Sequence, residues 1–169
     1  MKIIILRGLA ASGKTTLALK LAEKISAQIW NKDVLFDICL NCGIDWGTSN
    51  TMIYEYLYSY LLVNKNNKTS LIIDAPFYRN KDIKKMILFC LKNNIILRTI
   101  LVSCGSEDVW RERFSQRKKS PNPNQAITDF DEIKNYYGTM QVKPLPGEFM
   151  YDSSTETGVQ LKKIIDYVS

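Results

Sequence analysis

The chain has 169 residues, a formal net charge of +6 and no histidine. This length predicts one domain, residues 1–169, that is large enough to bury a core. The missing histidine excludes serine–histidine and cysteine–histidine hydrolases, so any hydroxyl group must be activated by a carboxylate, a lysine or a tyrosine. No apolar run reaches the ~20 residues of a membrane span and no signal-peptide pattern is present, so we expect a cytoplasmic protein without a membrane partner.

A phosphate-binding loop is predicted near the start of the chain. The pattern G-x-x-x-x-G-K-[ST] is matched by Gly8, Gly13, Lys14 and Thr15. Such a loop turns successive backbone N–H groups towards one concavity at the positive end of the following helix. The context agrees, because residues 3–6 form a β-branched run typical of a central parallel strand and helical spacing follows Thr15.

The residue types in this loop indicate an ATP site that uses Mg²⁺. Lys14 can reach the β- and γ-phosphates, and the Thr15 hydroxyl can ligate the metal ion. The ATP-binding residues predicted here are Gly8, Ala10, Ala11, Ser12, Gly13, Lys14, Thr15 and Thr16.

A second strand is predicted over residues 28–31, and Asp33 follows its carboxyl end, where ligands bind in open α/β sheets. An aspartate there can accept the proton of a substrate hydroxyl or orient that hydroxyl. The alternative is that Asp33 caps the next helix. Asp37, one turn further, is the second candidate. Residues 38–50 contain glycines and polar residues without a period, which predicts a loop.

The third predicted strand, residues 69–74, ends in Asp74. An acid at this point can lie beside Mg²⁺ directly or through water, and the alternative is an exposed aspartate at a strand end. Phe77 could form a wall of the acceptor pocket. Arg79 could offer its guanidinium to an anionic acceptor or to the transferred phosphate.

The second half of the chain continues the alternation of helices and strands. A helix over residues 80–93 is predicted to turn Ile83, Ile87, Leu88 and Leu91 inward, and residues 95–104 form the fourth strand. An edge strand from about 148 to 151 and a final helix from Glu156 to Val168 complete the chain, and this helix is predicted to bury Val159, Ile164 and Val168. This order predicts an α/β fold with three layers, α/β/α, around a five-stranded parallel sheet.

The predicted helix over residues 106–119 ends in basic residues. Arg113 and Arg117 are four residues apart and so share a face. Arginines held there can stabilise charge on a transferred phosphate or stack on adenine, and the alternative is a solvated helix end that complements the helix dipole. Residues 120–125 are rich in proline and asparagine and could hinge a lid of approximately residues 113–138.

Taken together, these motifs resemble the P-loop kinases of the nucleoside-monophosphate-kinase-like group, which include chloramphenicol phosphotransferases, gluconate kinases and polynucleotide 5′-hydroxyl kinases. The resemblance implies a P-loop NTPase fold with a small lid. It implies that Asp33 is the base or the orienter of the acceptor hydroxyl, that Arg113 lies against adenine and that Arg117 lies on the phosphates. It also implies that Thr15 and Asp74 would hold Mg²⁺.

The chain departs from the polynucleotide kinase pattern at one position. In those kinases an arginine that holds the substrate phosphate follows three residues after the aspartate, whereas this chain has Phe36. The departure favours a less anionic, partly apolar acceptor over a nucleic-acid 5′ end.

We therefore expect an ATP- and Mg²⁺-dependent kinase that phosphorylates a hydroxyl of a small molecule, such as a sugar, a nucleoside, an antibiotic or a similar metabolite. The catalytic residues would be Lys14, Asp33 and Arg117. The acceptor would contact Asp33, Phe36, Phe77 and Arg79. The alternatives are a polynucleotide 5′-hydroxyl or nucleotide kinase and, from another class, a nucleotide-binding regulatory ATPase. Nucleic acid is the less favoured partner, and the protein would be a monomer or a homodimer.

Overall fold

A computed structural model describes residues 1–138, 142–155 and 157–169 of the chain. Its strands and helices follow in the order β1 (Lys2–Arg7), α1 (Lys14–Ile25), β2 (Gln28–Asn31), α2 (Lys32–Asn41), α3 (Trp46–Asn64), β3 (Ser70–Asp74), α4 (Asn80–Lys92), β4 (Ile96–Ser103), α5 (Glu107–Lys119), α6 (Phe130–Gly138), β5 (Phe149–Asp152) and α7 (Gly158–Val168). None of these helices is both long and apolar enough to cross a membrane.

The strands form one parallel sheet in the order β2-β3-β1-β4-β5, which confirms the predicted five-stranded parallel sheet. The register pairs Leu6 with Asp74 on one side and Asp74 with Asn31 on the other. The carboxyl ends of β1, β2 and β3 therefore lie side by side at one edge of the sheet, the edge formed by the strand ends. Side chains that follow these three strands meet at that edge.

Helices cover both faces of the sheet, as the three-layer prediction requires. Successive side chains of β1 point to opposite faces. Ile3 and Ile5 belong to a buried cluster with residues of α3 and α4, whereas Ile4 and Leu6 belong to a second cluster with residues of α1 and α7. Because both faces are buried, β1 reads as a continuous apolar run without alternation.

The prediction of a loop over residues 38–50 is wrong for most of that range. Helix α2 continues to Asn41 and α3 begins at Trp46, so only residues 42–45 connect them. Asp45 caps α3, because its carboxylate accepts a hydrogen bond of 3.0 Å from the backbone N–H of Thr48. The glycine and polar residues after it occupy the first turns of a helix, where such residues are well tolerated.

Two helices bury only part of the predicted face. In α4 Ile83 is buried as predicted, together with Met86 and Cys90, whereas Leu88 and Leu91 are exposed. In α7 Ile164 and Val168 are buried as predicted, whereas Val159 is exposed. Helix α7 is described from Gly158, and Glu156 lies outside the described residues. An excess of apolar residues made more than one face plausible, and packing against the sheet selected among them.

Candidate active site

The loop between β1 and α1 has a backbone that requires glycine at two positions. Gly8 has a φ of 146° and Gly13 a φ of 97°, values that other residues rarely adopt. A Cβ atom on Gly8 would lie 2.2 Å from the carbonyl oxygen of Val102, and one on Gly13 would lie 2.9 Å from Cβ of Ser153. Close packing therefore fixes both glycines, and the loop leads directly into the N-terminus of α1.

Lys14 extends over this loop. Its Nζ donates hydrogen bonds to the carbonyl oxygens of Leu9 at 2.7 Å and Gly8 at 3.2 Å. Burial lowers the pKa of Lys14, and the carboxylates of Asp74 and Asp33 oppose that effect. The ammonium group thus lies between the loop and two acids, where a point charge can contact a phosphate.

Two hydrogen bonds to Asp74 join the start of α1 to the ends of β3 and β2. The Thr15 hydroxyl donates to Asp74 Oδ2 at 2.6 Å, and Asn31 Nδ2 donates to the same oxygen at 2.9 Å. Burial raises the pKa of Asp74, while Lys14 and the hydrogen bond from Thr15 oppose the rise. A hydroxyl and a carboxylate oxygen side by side fit Mg²⁺, which proteins bind through few side chains together with water and substrate phosphates.

Asp33 lies in the first turn of α2, but Asn31 is the N-cap of that helix. The Asn31 Oδ1 accepts hydrogen bonds from the backbone N–H groups of Asp33 at 2.8 Å and Val34 at 3.2 Å. The alternative role of Asp33 as the helix cap is therefore wrong. Its side chain is exposed and lines the same cavity as Lys14.

Arg113 and Arg117 of α5 both line the cavity as well. Arg113 Nη1 donates to Ser153 Oγ at 2.7 Å and to the Ala11 carbonyl at 3.3 Å, so it joins the end of β5 to the loop. Burial lowers the pKa of Arg117, and the charge of Asp33 opposes the decrease. Arg117 and Asp33 therefore line the same cavity and influence each other electrostatically.

The two helices of the predicted lid pack on each other and on the loop. Ala11, Phe114, Phe130 and Ile133 form a small buried cluster separate from the two sheet clusters. Within it, the rings of Phe114 and Phe130 lie edge to face with their centroids 5.9 Å apart. Apolar contacts therefore hold α5 and α6 together above the loop.

The connection between α5 and α6 is tied to α2 by Asp37. Asp37 Oδ1 accepts hydrogen bonds from the backbone N–H and from Nδ2 of Asn124, both at 2.8 Å. Asp37, the second candidate for a role at the acceptor, is thus engaged by the segment that follows the basic helix. This contact fixes the start of the segment 124–128, which lines the cavity.

Replacing Asp37 by alanine should loosen this segment. Hydrogen bonds to a charged group contribute about 1.5–3 kcal/mol, so local opening should become roughly tenfold or more easier. Limited trypsin digestion at Lys119, beside the segment, measures this change. Asp166→Ala, which removes an exposed carboxylate from α7, is the control, and equal cleavage of both variants would show that the contact does not hold the segment.

Tyr137 of α6 is a cavity residue that the sequence analysis did not identify. Its hydroxyl oxygen accepts a hydrogen bond of 3.3 Å from the backbone N–H of Ala10, whose carbonyl accepts one of 2.9 Å from Trp110 Nε1. Burial raises the pKa of Tyr137. The contact joins residues 127 positions apart, so no local signal in the sequence points to it.

Tyr137→Phe should expose the Ala10 amide to solvent exchange. A single neutral hydrogen bond contributes about 0.5–1.5 kcal/mol, which corresponds to roughly two- to tenfold faster exchange. Hydrogen–deuterium exchange of the loop peptide measures it. Tyr56→Phe, on the exposed face of α3, is the control and should leave this exchange unchanged. If Ala10 remains protected in Tyr137→Phe, the tyrosine hydroxyl does not hold the loop.

The prediction that Phe36 contacts the acceptor is wrong. Phe36 is fully buried, with its ring edge to face against Trp46 at 4.6 Å and Lys32 Nζ 4.0 Å from its centroid. Trp46 and Lys32 line the cavity in its place. The residue three positions after Asp33 points into the core because α2 is helical there, so it does not line the cavity.

The turn after β3 supplies the other two predicted acceptor residues. Phe77 adopts a φ of 36° and lies edge to face with Tyr54 at 5.5 Å. Arg79 is engaged by Asp82, whose Oδ2 accepts a hydrogen bond of 2.6 Å from Arg79 Nε. Both Phe77 and Arg79 line the cavity.

One cavity of about 570 Å³ brings most of the predicted site residues together, a volume typical of small-ligand sites. Gly8 and Ser12 support the loop without lining this cavity. An adjoining recess of about 190 Å³ shares Tyr54, Phe77 and Arg79 with it. The predicted residues that line the cavity are Ala10, Ala11, Gly13, Lys14, Thr15, Thr16, Asp33, Asp74, Phe77, Arg79, Arg113 and Arg117.

A glycine-bounded loop between β1 and α1, an acid at the end of β3 and a helical cover with inward arginines define a P-loop protein of the kinase-like group. A family model described as AAA domain matches residues 3–137. The chain belongs to this family. No curated protein matches its sequence.

Solved structures share the fold over nearly the whole chain. A Chloroflexus aurantiacus protein provisionally named a kinase is 21% identical with a TM-score of 0.78, covering 99% of this chain and 96% of that one. Chaetomium thermophilum Kti12 in complex with ADP-AlF₃ is 15% identical with a TM-score of 0.71, covering 99% of each chain. The Mycobacterium tuberculosis APS kinase CysC in complex with AMPPNP and APS is 15% identical with a TM-score of 0.66, covering 98% of this chain and 96% of that one. These likenesses show the fold of P-loop kinases.

Proposed function

We propose that this protein is a kinase that uses ATP and Mg²⁺ to phosphorylate a hydroxyl group of a small molecule. The observation that carries the proposal is the single cavity in which the phosphate loop, Arg117 and the exposed carboxylate of Asp33 meet. A nucleotide-binding site alone would need only the first of these. The combination provides a place for the phosphate donor and an acid where an attacking hydroxyl would lie.

The nucleotide phosphates are assigned to the loop. Backbone N–H groups at the start of α1 and the Lys14 ammonium offer positive charge to them. Arg113, held by Ser153 and Ala11, lies at the edge of the loop where a guanidinium can stack on the base. Two solved structures with a similar fold, which contain ADP-AlF₃ and AMPPNP, support the assignment of a nucleotide to this loop.

Thr15 and Asp74 are assigned to Mg²⁺ because their oxygens are 2.6 Å apart beside the loop. When bound, the ion would neutralise charge on the phosphates. Residues of the chain complete that neutralisation, with Lys14 on one side and Arg117 on the other.

Asp33 is assigned to the acceptor hydroxyl. Its carboxylate can orient the hydroxyl or accept its proton as the oxygen attacks phosphorus. The lid of residues 113–138, formed by the second half of α5, the connecting segment and α6, would close over the reacting groups and exclude water. The catalytic effect then comes from positioning and from preorganised charge.

The fate of the γ-phosphate tests the proposal. The protein is incubated with γ-labelled ATP, Mg²⁺ and a panel of sugars, nucleosides, antibiotics and short oligonucleotides, and products are separated by mass. A labelled small-molecule ester that disappears with EDTA is the expected result. Label found only in free phosphate would favour a regulatory ATPase, and label on oligonucleotides would favour a polynucleotide kinase.

A further inference from the structure

The cavity divides into two parts with different charge. The nucleotide half comprises the loop and the inward face of α5, and it holds three cations, Lys14, Arg113 and Arg117. Two carboxylates act on them, Asp74 beside the loop and Asp33 from the acceptor side. The acceptor half comprises the wall formed by α2, α3, the turn after β3 and the start of α4. The nucleotide half is therefore positive, as bound phosphates require.

Cations and carboxylates balance in the acceptor half. Lys32 is buried beside Asp33 and Asp37, whose carboxylates oppose the lowering of its pKa by burial. Arg79 donates to Asp82 at 2.6 Å. An acceptor that carries a phosphate or carboxylate of its own would meet no unpaired cation among these residues, because Lys32 and Arg79 each already face an acid. The acceptor half therefore favours an uncharged acceptor.

Aromatic rings form much of the acceptor half. Trp46 is about half exposed, at 48%, with its inner edge held against Phe36. Tyr54 and Phe77 lie edge to face across the cavity wall, and both also line the adjoining recess of about 190 Å³. Aromatic faces fixed in this way stack well on a planar ring, and stacking contributes about 1–3 kcal/mol per ring.

One polar atom in the cover of this half has no partner. Gln125 lines the cavity, and its Oε1 is buried at present and accepts no hydrogen bond from the described residues, so a ligand would reach it after a turn of the side chain. Its neighbour Asn124 is bound to Asp37 of α2, which places Gln125 on the acceptor side. A buried acceptor without a partner costs about 1–3 kcal/mol, and an N–H or O–H group of a ligand would remove that cost.

We infer that the phosphate acceptor is an uncharged alcohol with a planar ring that carries a hydrogen-bond donor. The inference rests on the proposed function and restricts the class of small molecules that could serve as its phosphate acceptor. The ring would stack against Trp46 and Tyr54, with the buried Phe77 supporting Tyr54. The donor would reach Gln125 Oε1, and the reacting hydroxyl would lie at Asp33. Sugar acids and nucleoside monophosphates fall outside this class.

Isothermal titration calorimetry of the whole chain, saturated with AMPPNP and Mg²⁺, tests the inference. The probes are uridine, thymidine and inosine, which have a ring N–H, their 5′-monophosphates, and ribose, which lacks the planar ring. At least one nucleoside should bind about tenfold or more tightly than both its monophosphate and ribose. The inference is overturned if a monophosphate or ribose binds as tightly as the nucleosides, or if no nucleoside binds.

Two variants test the named contacts. Gln125→Leu should weaken binding of the preferred nucleoside about fivefold or more, whereas Gln160→Leu, which removes another buried Oε1 without a partner on α7, should not. Asp82→Ala should strengthen binding of the monophosphate alone, because it removes the acid that faces Arg79. Unchanged binding in both Gln125→Leu and Asp82→Ala overturns the inference.

This binding assay separates the inference from the proposed function. AMPPNP is not transferred, so the nucleoside preference can be observed even if ATP yields no phosphorylated product, and only the proposed function then fails. Phosphate transfer to a sugar acid or to a nucleotide would instead support a kinase and overturn the uncharged acceptor.

Discussion

Asp33→Asn should leave ATP binding intact and lower phosphoryl transfer by about 10²–10⁴-fold, the range attributed to a positioned acid or base. Asn31 caps α2, so the Asp33 side chain is not needed to start the helix. Asparagine has nearly the same size but cannot accept the proton of an attacking hydroxyl. Steady-state kinetics together with calorimetric titration of AMPPNP separate the two effects.

Asp166→Asn on α7 is the matched control, since it makes the same chemical change at an exposed site away from the cavity. It should leave both transfer and ATP binding unchanged. Wild-type turnover in Asp33→Asn would remove Asp33 from the reaction. A loss of ATP affinity equal to the loss of transfer would instead assign Asp33 to the nucleotide.

Lys14→Ala should weaken ATP binding and lower transfer together, by about 10²–10³-fold in kcat/KM, as expected for loss of one preorganised charge at a transferred phosphate. Lys14 is held over the loop by the carbonyl oxygens of Leu9 and Gly8. Calorimetry with AMPPNP and initial rates with ATP measure both losses.

Lys24→Ala removes a lysine from the last turn of the same helix and should have neither effect. Thermal unfolding of the two variants checks that each remains folded. A Lys14→Ala variant that binds AMPPNP normally would place the triphosphate elsewhere.

The sequence predicted the sheet and the phosphate loop because both depend on local patterns. Gly8 and Gly13 mark backbone conformations that few other residues adopt, and the β-branched run before them marks a strand buried on both faces. Asp33 and Asp74 were identified because they follow strands whose ends meet at one edge of a parallel sheet. Each of these features is specified by a pattern of residues within a short stretch of the sequence.

The errors arose where long-range packing decides. Residues 38–50 contain polar residues and glycines, yet contacts of α2 and α3 with the core make most of that range helical. Phe36 was assigned to the acceptor by its distance in sequence from Asp33, but the helical turn directs it into the core. The contacts of Asp37 with Asn124 and of Tyr137 with Ala10 join distant parts of the chain, which no local pattern reveals.

The most direct test of the account follows the γ-phosphate through a single turnover. Excess protein is mixed with γ-labelled ATP, Mg²⁺ and the acceptor that binds most tightly, and the label is divided between acceptor and free phosphate. We expect the wild-type protein to place most of the label on the acceptor, and Asp33→Asn to lose that product while still binding ATP. Label recovered only as free phosphate, with the same amount from both proteins, would contradict a kinase in which Asp33 serves the acceptor.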